Sequence, residues 1–288
     1  MDKILCPVDF SAASLNAIEF AARIGAQHRA TLTLFHVFTA DEFDQVLADG
    51  DLVSRFPSEN MGARYAEEML KSLADEVIQM SGPEGLAGCD YYFSDGPLEQ
   101  QLVTYADQQG YPLVVMGTAG VKDIYEQYGG SHTTRTMDRS HCPVLCIPER
   151  VEYQPLKKVM YATDYQEEDA AILQQVMAIV APFGAQLEVV HIVPDQDQRD
   201  EAVYQDYVAQ TRRTLPDQAV HFSQKVYEDV LHGIDHYAIE QEANLVVLVR
   251  KHHNFLERML EQDTTQRLSY FATYPVMVFQ EIVPLKEA

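Results

Sequence analysis

The sequence predicts an α/β chain in two halves, each a doubly wound, five-stranded parallel sheet. Three observations predict it. Short apolar runs alternate with helical patterns along the whole chain. The runs are nearly continuously apolar, as strands with helices on both faces must be. Landmarks in the first half also recur in the second at fixed spacing.

In the first half, strands are expected near 3–8, 32–38, 90–94, 113–117 and 144–148. Between the first two, Ser11 supplies a helix N-cap, and Leu15, Ile18, Ala22 and Gly25 fall on one helical face. A second helix is expected over roughly Ala63 to Met80, a third over roughly Leu98 to Gln108, and a fourth from near Ser131. With strand order 3-2-1-4-5, the winding reverses between the first and fourth strands.

The second half repeats this plan. Lys3-Ile4-Leu5-Cys6-Pro7-Val8-Asp9 matches Lys158-Val159-Met160-Tyr161-Ala162-Thr163-Asp164, and His36 matches His191, both at an offset of 155. Leu113-Val114-Val115-Met116 matches Leu245-Val246-Val247-Leu248, and Tyr105-Ala106 matches Tyr237-Ala238, at 132. The first half therefore carries 23 extra residues, most of them expected in the acidic stretch Asp41 to Asn60. Near the ends, Cys142 to Ile147 corresponds to Tyr274 to Phe279. The boundary falls between Pro148 and Pro155, which gives domains of 1–150 and 151–288.

The formal charge is −23, from 21 Lys and Arg against 44 Asp and Glu. That excludes a broad nucleic-acid or anionic-membrane surface. No stretch approaches the ~20 apolar residues of a membrane span, and the chain opens on an apolar strand without a signal core. Four cysteines suit a reducing cytoplasm. Cys142 and Cys146 are expected on one face of a strand-like run, as buried thiols rather than metal ligands, although His132 and His141 are near. His36 and His191 read as hydrogen-bonded core histidines.

The chemistry is concentrated after the fourth strand, in Gly117-Thr118-Ala119-Gly120 and then Gly130-Ser131. Glycines beyond a strand admit a close ligand approach. A Gly-Ser pair ahead of His132, Thr133 and Thr134 would open a helix whose N–H groups suit phosphate. The spacing is neither a Walker loop nor the dinucleotide G-x-G-x-x-G. Its other reading is a tight loop with a helix cap. Asp9, at the end of the first strand, would face the same crevice or cap the helix after Ser11.

These residues resemble the universal stress protein family, over both halves nearly end to end. The nucleotide-binding members carry G-x2-G-x9-G-[S/T], which Gly117, Gly120, Gly130 and Ser131 match without a gap. The family's aspartate at the end of the first strand matches Pro7-Val8-Asp9, and Val37 fits a valine that lies near the adenine. The resemblance implies an adenine nucleotide α-hydrolase-like fold with its halves related by a pseudo-twofold axis. It also implies ATP with Mg or Mn. The site would comprise Pro7, Val8, Asp9, Val37, Met116, Gly117, Thr118, Gly120, Gly130, Ser131, His132 and Thr133. Beyond ATP, a protein partner and a homodimer are expected.

The second half departs from the motif. At the 132 offset, Gly117, Gly120, Gly130 and Ser131 become Val249, His252, Gln262 and Asp263. Side chains fill the space, and Asp263 sets a carboxylate where phosphate would rest. The basic run Arg250-Lys251-His252-His253 stands in place of the loop and reads as a solvated segment. No catalytic constellation is present, neither a nucleophile elbow nor H-E-x-x-H nor paired C-x-x-C. The expected role is a bound signal, with at most slow ATP hydrolysis.

Overall fold

The computed structural model describes residues 1–38, 61–82, 85–118, 132–166, 168–195, 197, 200–215, 220–250 and 273–280. The acidic stretch from Asp41 to Asn60 lies outside them, as do Gly120, Gly130 and Ser131. So do Lys251, His252, His253, Gln262 and Asp263 of the second half.

In chain order the first half runs β1 (Lys3–Pro7), α1 (Ala12–His28), β2 (Thr31–Phe38), α2 (Met61–Ser81), β3 (Gly88–Asp95), α3 (Leu98–Gln109), β4 (Val114–Thr118), α4 (His132–Arg139) and β5 (Val144–Pro148). The second half runs β6 (Lys158–Ala162), α5 (Asp169–Val180) with a 3-10 turn (Ala181–Phe183), β7 (Gln186–Pro194), α6 (Glu201–Thr214), β8 (Val220–Tyr227), α7 (Val230–Glu240), β9 (Leu245–Arg250) and β10 (Val276–Gln280).

The chain divides into two compact units, Met1–Val144 and Leu145–Ala288, so the division falls at the start of β5. In the first unit the sheet order is β3-β2-β1-β4, with parallel pairs. The Val114 N–H donates to the Pro143 carbonyl at 3.1 Å, which ties β4 to the residue before β5. In the second unit the order is β8-β7-β6-β9-β10, again with parallel pairs. The apolar runs of the sequence become the core: Ile4, Leu5, Leu32, Phe35 and Leu113 in one unit, and Tyr161, Leu187 and Val247 in the other, are fully buried.

Two details differ from the sequence reading. The buried residues of α1 are Ala13, Ser14, Ala17, Ile18, Phe20, Ala21, Ile24 and Gly25, while Leu15 is 45% exposed and Ala22 only half-buried. Small residues admit a close approach at the first turn, where Ala13 stands against Gly117 of β4, while Ile18, Phe20 and Ile24 bury large side chains further along the helix. Cys142 precedes β5 and hydrogen-bonds with Ser140, so it does not share a strand face with the fully buried Cys146.

The duplication is exact enough to be followed atom by atom. Val8 N–H donates to Phe35 O at 2.8 Å, and Thr163 N–H donates to Val190 O at 2.9 Å. Lys3 Nζ donates to Gln109 O, and Lys158 Nζ to Gln241 O at 3.0 Å. Phe10 and Tyr165 both adopt left-handed backbone, with φ of 61° and 63°. Such a conformation is uncommon for a bulky residue and is held only by surrounding structure.

Candidate nucleotide crevice

The candidate site lies beyond the carboxyl ends of β2, β1 and β4, which are neighbours in the first unit. This adjacency brings Pro7, Val8 and Asp9 together with Val37 and with Met116, Gly117 and Thr118. Pro7, Val8, Val37, Met116 and Thr118 are buried, Gly117 is half-buried and Asp9 is exposed. His132 and Thr133 begin α4.

The β1 end is fixed from two sides. Besides the Val8 bond to β2, the Val8 carbonyl accepts from Nδ1–H of buried His36 at 2.7 Å. The Phe10 ring packs against the His36 ring at 5.3 Å between centroids. The turn at Phe10 then folds the Asp9 carboxylate back over the start of α1. Asp9 Oδ1 accepts from the Ser11 N–H at 3.0 Å and the Ser11 hydroxyl at 2.6 Å. Ser11 is the N-cap of α1 and accepts from the Ser14 N–H at 3.2 Å. Partial burial pushes the Asp9 carboxyl up, but hydrogen bonds involving Ser11 and Ser14 outweigh it and hold the group below its ordinary 3.8.

Gly117 has a packing reason of its own. A Cβ there would stand 2.3 Å from the Ala13 carbonyl oxygen and 2.8 Å from the Ser14 nitrogen. The glycine lets the first turn of α1 rest on β4, so the first glycine of the motif serves the helix whether or not a ligand approaches it.

A feature the sequence reading missed joins α3 to α4. Glu99, buried in the first turn of α3, pairs with Arg135 Nη1 of α4 at 2.7 Å. Nothing in the local pattern marks these residues, which stand 36 positions apart.

The second half was missed in another way. Asp164 is exposed, and its carbonyl accepts from Gln166 Nε2 at 3.2 Å. The buried carboxylate is Asp169, the counterpart of Ser14 at the 155 offset. It accepts from the hydroxyls of Tyr161 at 2.7 Å, Tyr207 at 2.9 Å and Thr163. Desolvation raises its pKa above the usual carboxylate value, against the lowering effect of these hydroxyls. Setting the two halves side by side is the signal that would have found it, since Ser14 becomes Asp169 while Cys6 and Val8 become Tyr161 and Thr163.

Among the described residues no group of three or more His, Cys, Asp and Glu could hold a metal ion. His141, near Cys142, instead places Nδ1 2.8 Å from Asp107 Oδ2. Burial pushes the Cys89 and Cys146 thiols up to about 12, and no cysteine is in a disulfide. Also among the described residues, no helix is long and apolar enough to cross a membrane.

The model of the universal stress protein family matches residues 1–148 and again 155–280. This chain belongs to the universal stress protein family. A universal stress protein of Methanocaldococcus jannaschii is 28% identical over 147 residues, covering 50% of this chain and 81% of that protein. The universal stress protein YxiE of Bacillus subtilis is 21% identical over 154 residues, covering 51% of this chain and 98% of YxiE. The crystal structure of a universal stress protein from Archaeoglobus fulgidus has the same fold, with a TM-score of 0.69 at 17% identity. It covers 96% of this chain and 98% of that one. The family thus occurs here twice in one polypeptide, as the two sequence offsets require.

Proposed function

We propose that the first half, residues 1–150, binds ATP with Mg or Mn as a regulatory or sensing ligand, and that the second half, residues 151–288, is a copy that does not. The observation that carries this reading is the intact glycine spacing from Gly117 to Ser131, which starts at the carboxyl end of β4, the neighbour of β1, whose end lies two residues before Asp9. The described residues fit such a ligand. An exposed carboxylate just after β1 and a buried valine near the end of β2 lie at one end of neighbouring strands, and α4 follows the glycine segment along the chain. ATP would lay its adenosine near Asp9 and Val37 and its phosphates along Gly120, Gly130, Ser131 and the first turn of α4. A divalent cation would offset phosphate charge in this acidic chain. Catalysis is not part of the proposal, and the protein would work in the cytoplasm.

The rival is a nucleotide-free interaction protein. Two observations favour it: Asp9 is engaged in capping α1, and Gly117 is needed by helix packing. Calorimetry separates the two readings. One ATP per chain is expected, and Gly130→Asp should abolish binding with the fold intact, because it fills the cradle and adds like charge. Two equivalent sites would refute the silent second copy. A wild-type chain that binds no adenine nucleotide would refute ATP binding altogether.

A further inference from the structure

We infer that Arg135, held by Glu99, is the cationic residue that makes the first half select a nucleoside triphosphate over a monophosphate. This rests on the reading that the first half binds ATP. A triphosphate needs positive charge, and the glycine segment does not supply it. From Gly117 to Ser131 the only cationic side chain is Lys122, set against Asp123 and Glu126.

Arg135 lies one turn into α4, the helix whose start receives phosphate in the proposed site. Its guanidinium side chain is 40% exposed, while that of its partner Glu99 is 5% exposed. The carboxylate sits in the first turn of α3, and α3 packs against α4. α3 begins three positions after β3 ends, so Glu99 in its first turn lies toward the carboxyl end of the sheet and holds Arg135 of α4 there. A buried carboxylate orients a half-exposed arginine before any ligand arrives, and pre-ordering reduces what binding must spend on immobilising the side chain. A planar guanidinium also suits phosphate oxygens.

The second half acts as an internal control. At the 132 offset Glu99 becomes Leu231 and Thr136 becomes Leu268, while Arg135 keeps its charge as Arg267. The anchoring carboxylate is absent from the half that has also lost its glycines. In the first half, Thr136 is fully buried, and its hydroxyl has no hydrogen-bond partner among the described residues. In the sequence the acid and the hydroxyl thus stand at these positions only in the half with the glycine set, whereas His36 and His191 keep the same carbonyl bond in both halves. Scaffold features persist through the duplication, and this one does not.

The test uses the full chain with Mg and measures ATP, ADP and AMP binding by calorimetry. Arg135→Gln alone would strand a buried carboxylate and unfold part of the population. The decisive variant is therefore Glu99→Gln with Arg135→Gln, neutral at both positions and near-isosteric at Glu99, with folding checked by its thermal melt. ATP affinity should fall at least tenfold and AMP affinity less than twofold. Arg135→Lys, which keeps charge but loses the planar fork, should fall between wild type and the double variant for ATP. Equal losses for ATP and AMP, or no loss for either in a folded double variant, overturn the role of Arg135 and leave ATP binding standing. A wild-type chain that binds no adenine nucleotide overturns both.

Discussion

The turn after the first strand of each half has the same backbone and different chemistry. In the first half Asp9 caps its own helix through Ser11, and α1 begins at Ala12 against Gly117. In the second half Asp164 is exposed, and α5 begins at Asp169, two positions later at the 155 offset. Val249 stands where Gly117 did, and Asp169 gathers three hydroxyls beneath the helix start. The carbonyl after the strand meets a histidine at 2.7 Å in both halves. What the duplication preserves is the backbone bonding of strand and turn. What it changes is the contact between the first helix and the fourth strand, where Gly117 stands against the backbone of Ala13 and the second half has Val249.

That contrast can be broken most sharply at Asp169. Asp169→Ala should destabilise the protein by roughly 3–4 kcal/mol, because the buried hydroxyls of Tyr161, Thr163 and Tyr207 lose their acceptor together. Urea unfolding measures this, and a loss below about 1 kcal/mol would show that the hydroxyls find other partners. Ser14→Ala, at the matching place, should have a much smaller effect.

Copying the second half into the first comes next. Gly117→Val should destabilise by about 2–3 kcal/mol, since the new side chain meets backbone rather than a yielding side chain. It should also remove ATP binding by displacing the first turn of α1. A fully stable Gly117→Val protein would mean that α1 can retreat as α5 has done.

Capping gives a smaller effect. Ser11→Ala should cost about 1 kcal/mol through loss of the N-cap and of one hydrogen bond to Asp9. Gln166, its counterpart, makes no such cap, so Gln166→Ala should be nearly silent in the same melts.

The smallest signal is a pair of opposed pH dependences. Asp9 has a lowered folded pKa, so its contribution is present above its unfolded pKa and is lost as pH falls through the folded value. Asp169 has a raised folded pKa. The folded state then binds the extra proton, and stability falls as pH rises from the unfolded carboxylate value through the folded one. Comparing wild type with Asp9→Asn and with Asp169→Asn in melts across the acid range should give pH-dependent differences of opposite slope. The same slope for both would refute the opposite directions in which the fold moves the two carboxyls.

The sequence by itself determined the repeat, the element order and the loss of the glycine spacing in the second half. Each is a pattern along the chain: apolar runs at strand length, landmarks at constant offset, and glycines replaced by residues with side chains. It also carried His36 and His191, because a histidine repeated inside two apolar strands needs a partner in both. Tertiary structure alone decided that Gly117 serves the packing of α1, that Leu15 turns outward, and that Glu99 meets Arg135. These depend on how closely a helix lies on a strand or on another helix, a distance that no spacing in the sequence records. Asp169 shows the same limit, since its three hydroxyl partners come from β6, the turn after it and α6, and only the folded chain brings them to one carboxylate.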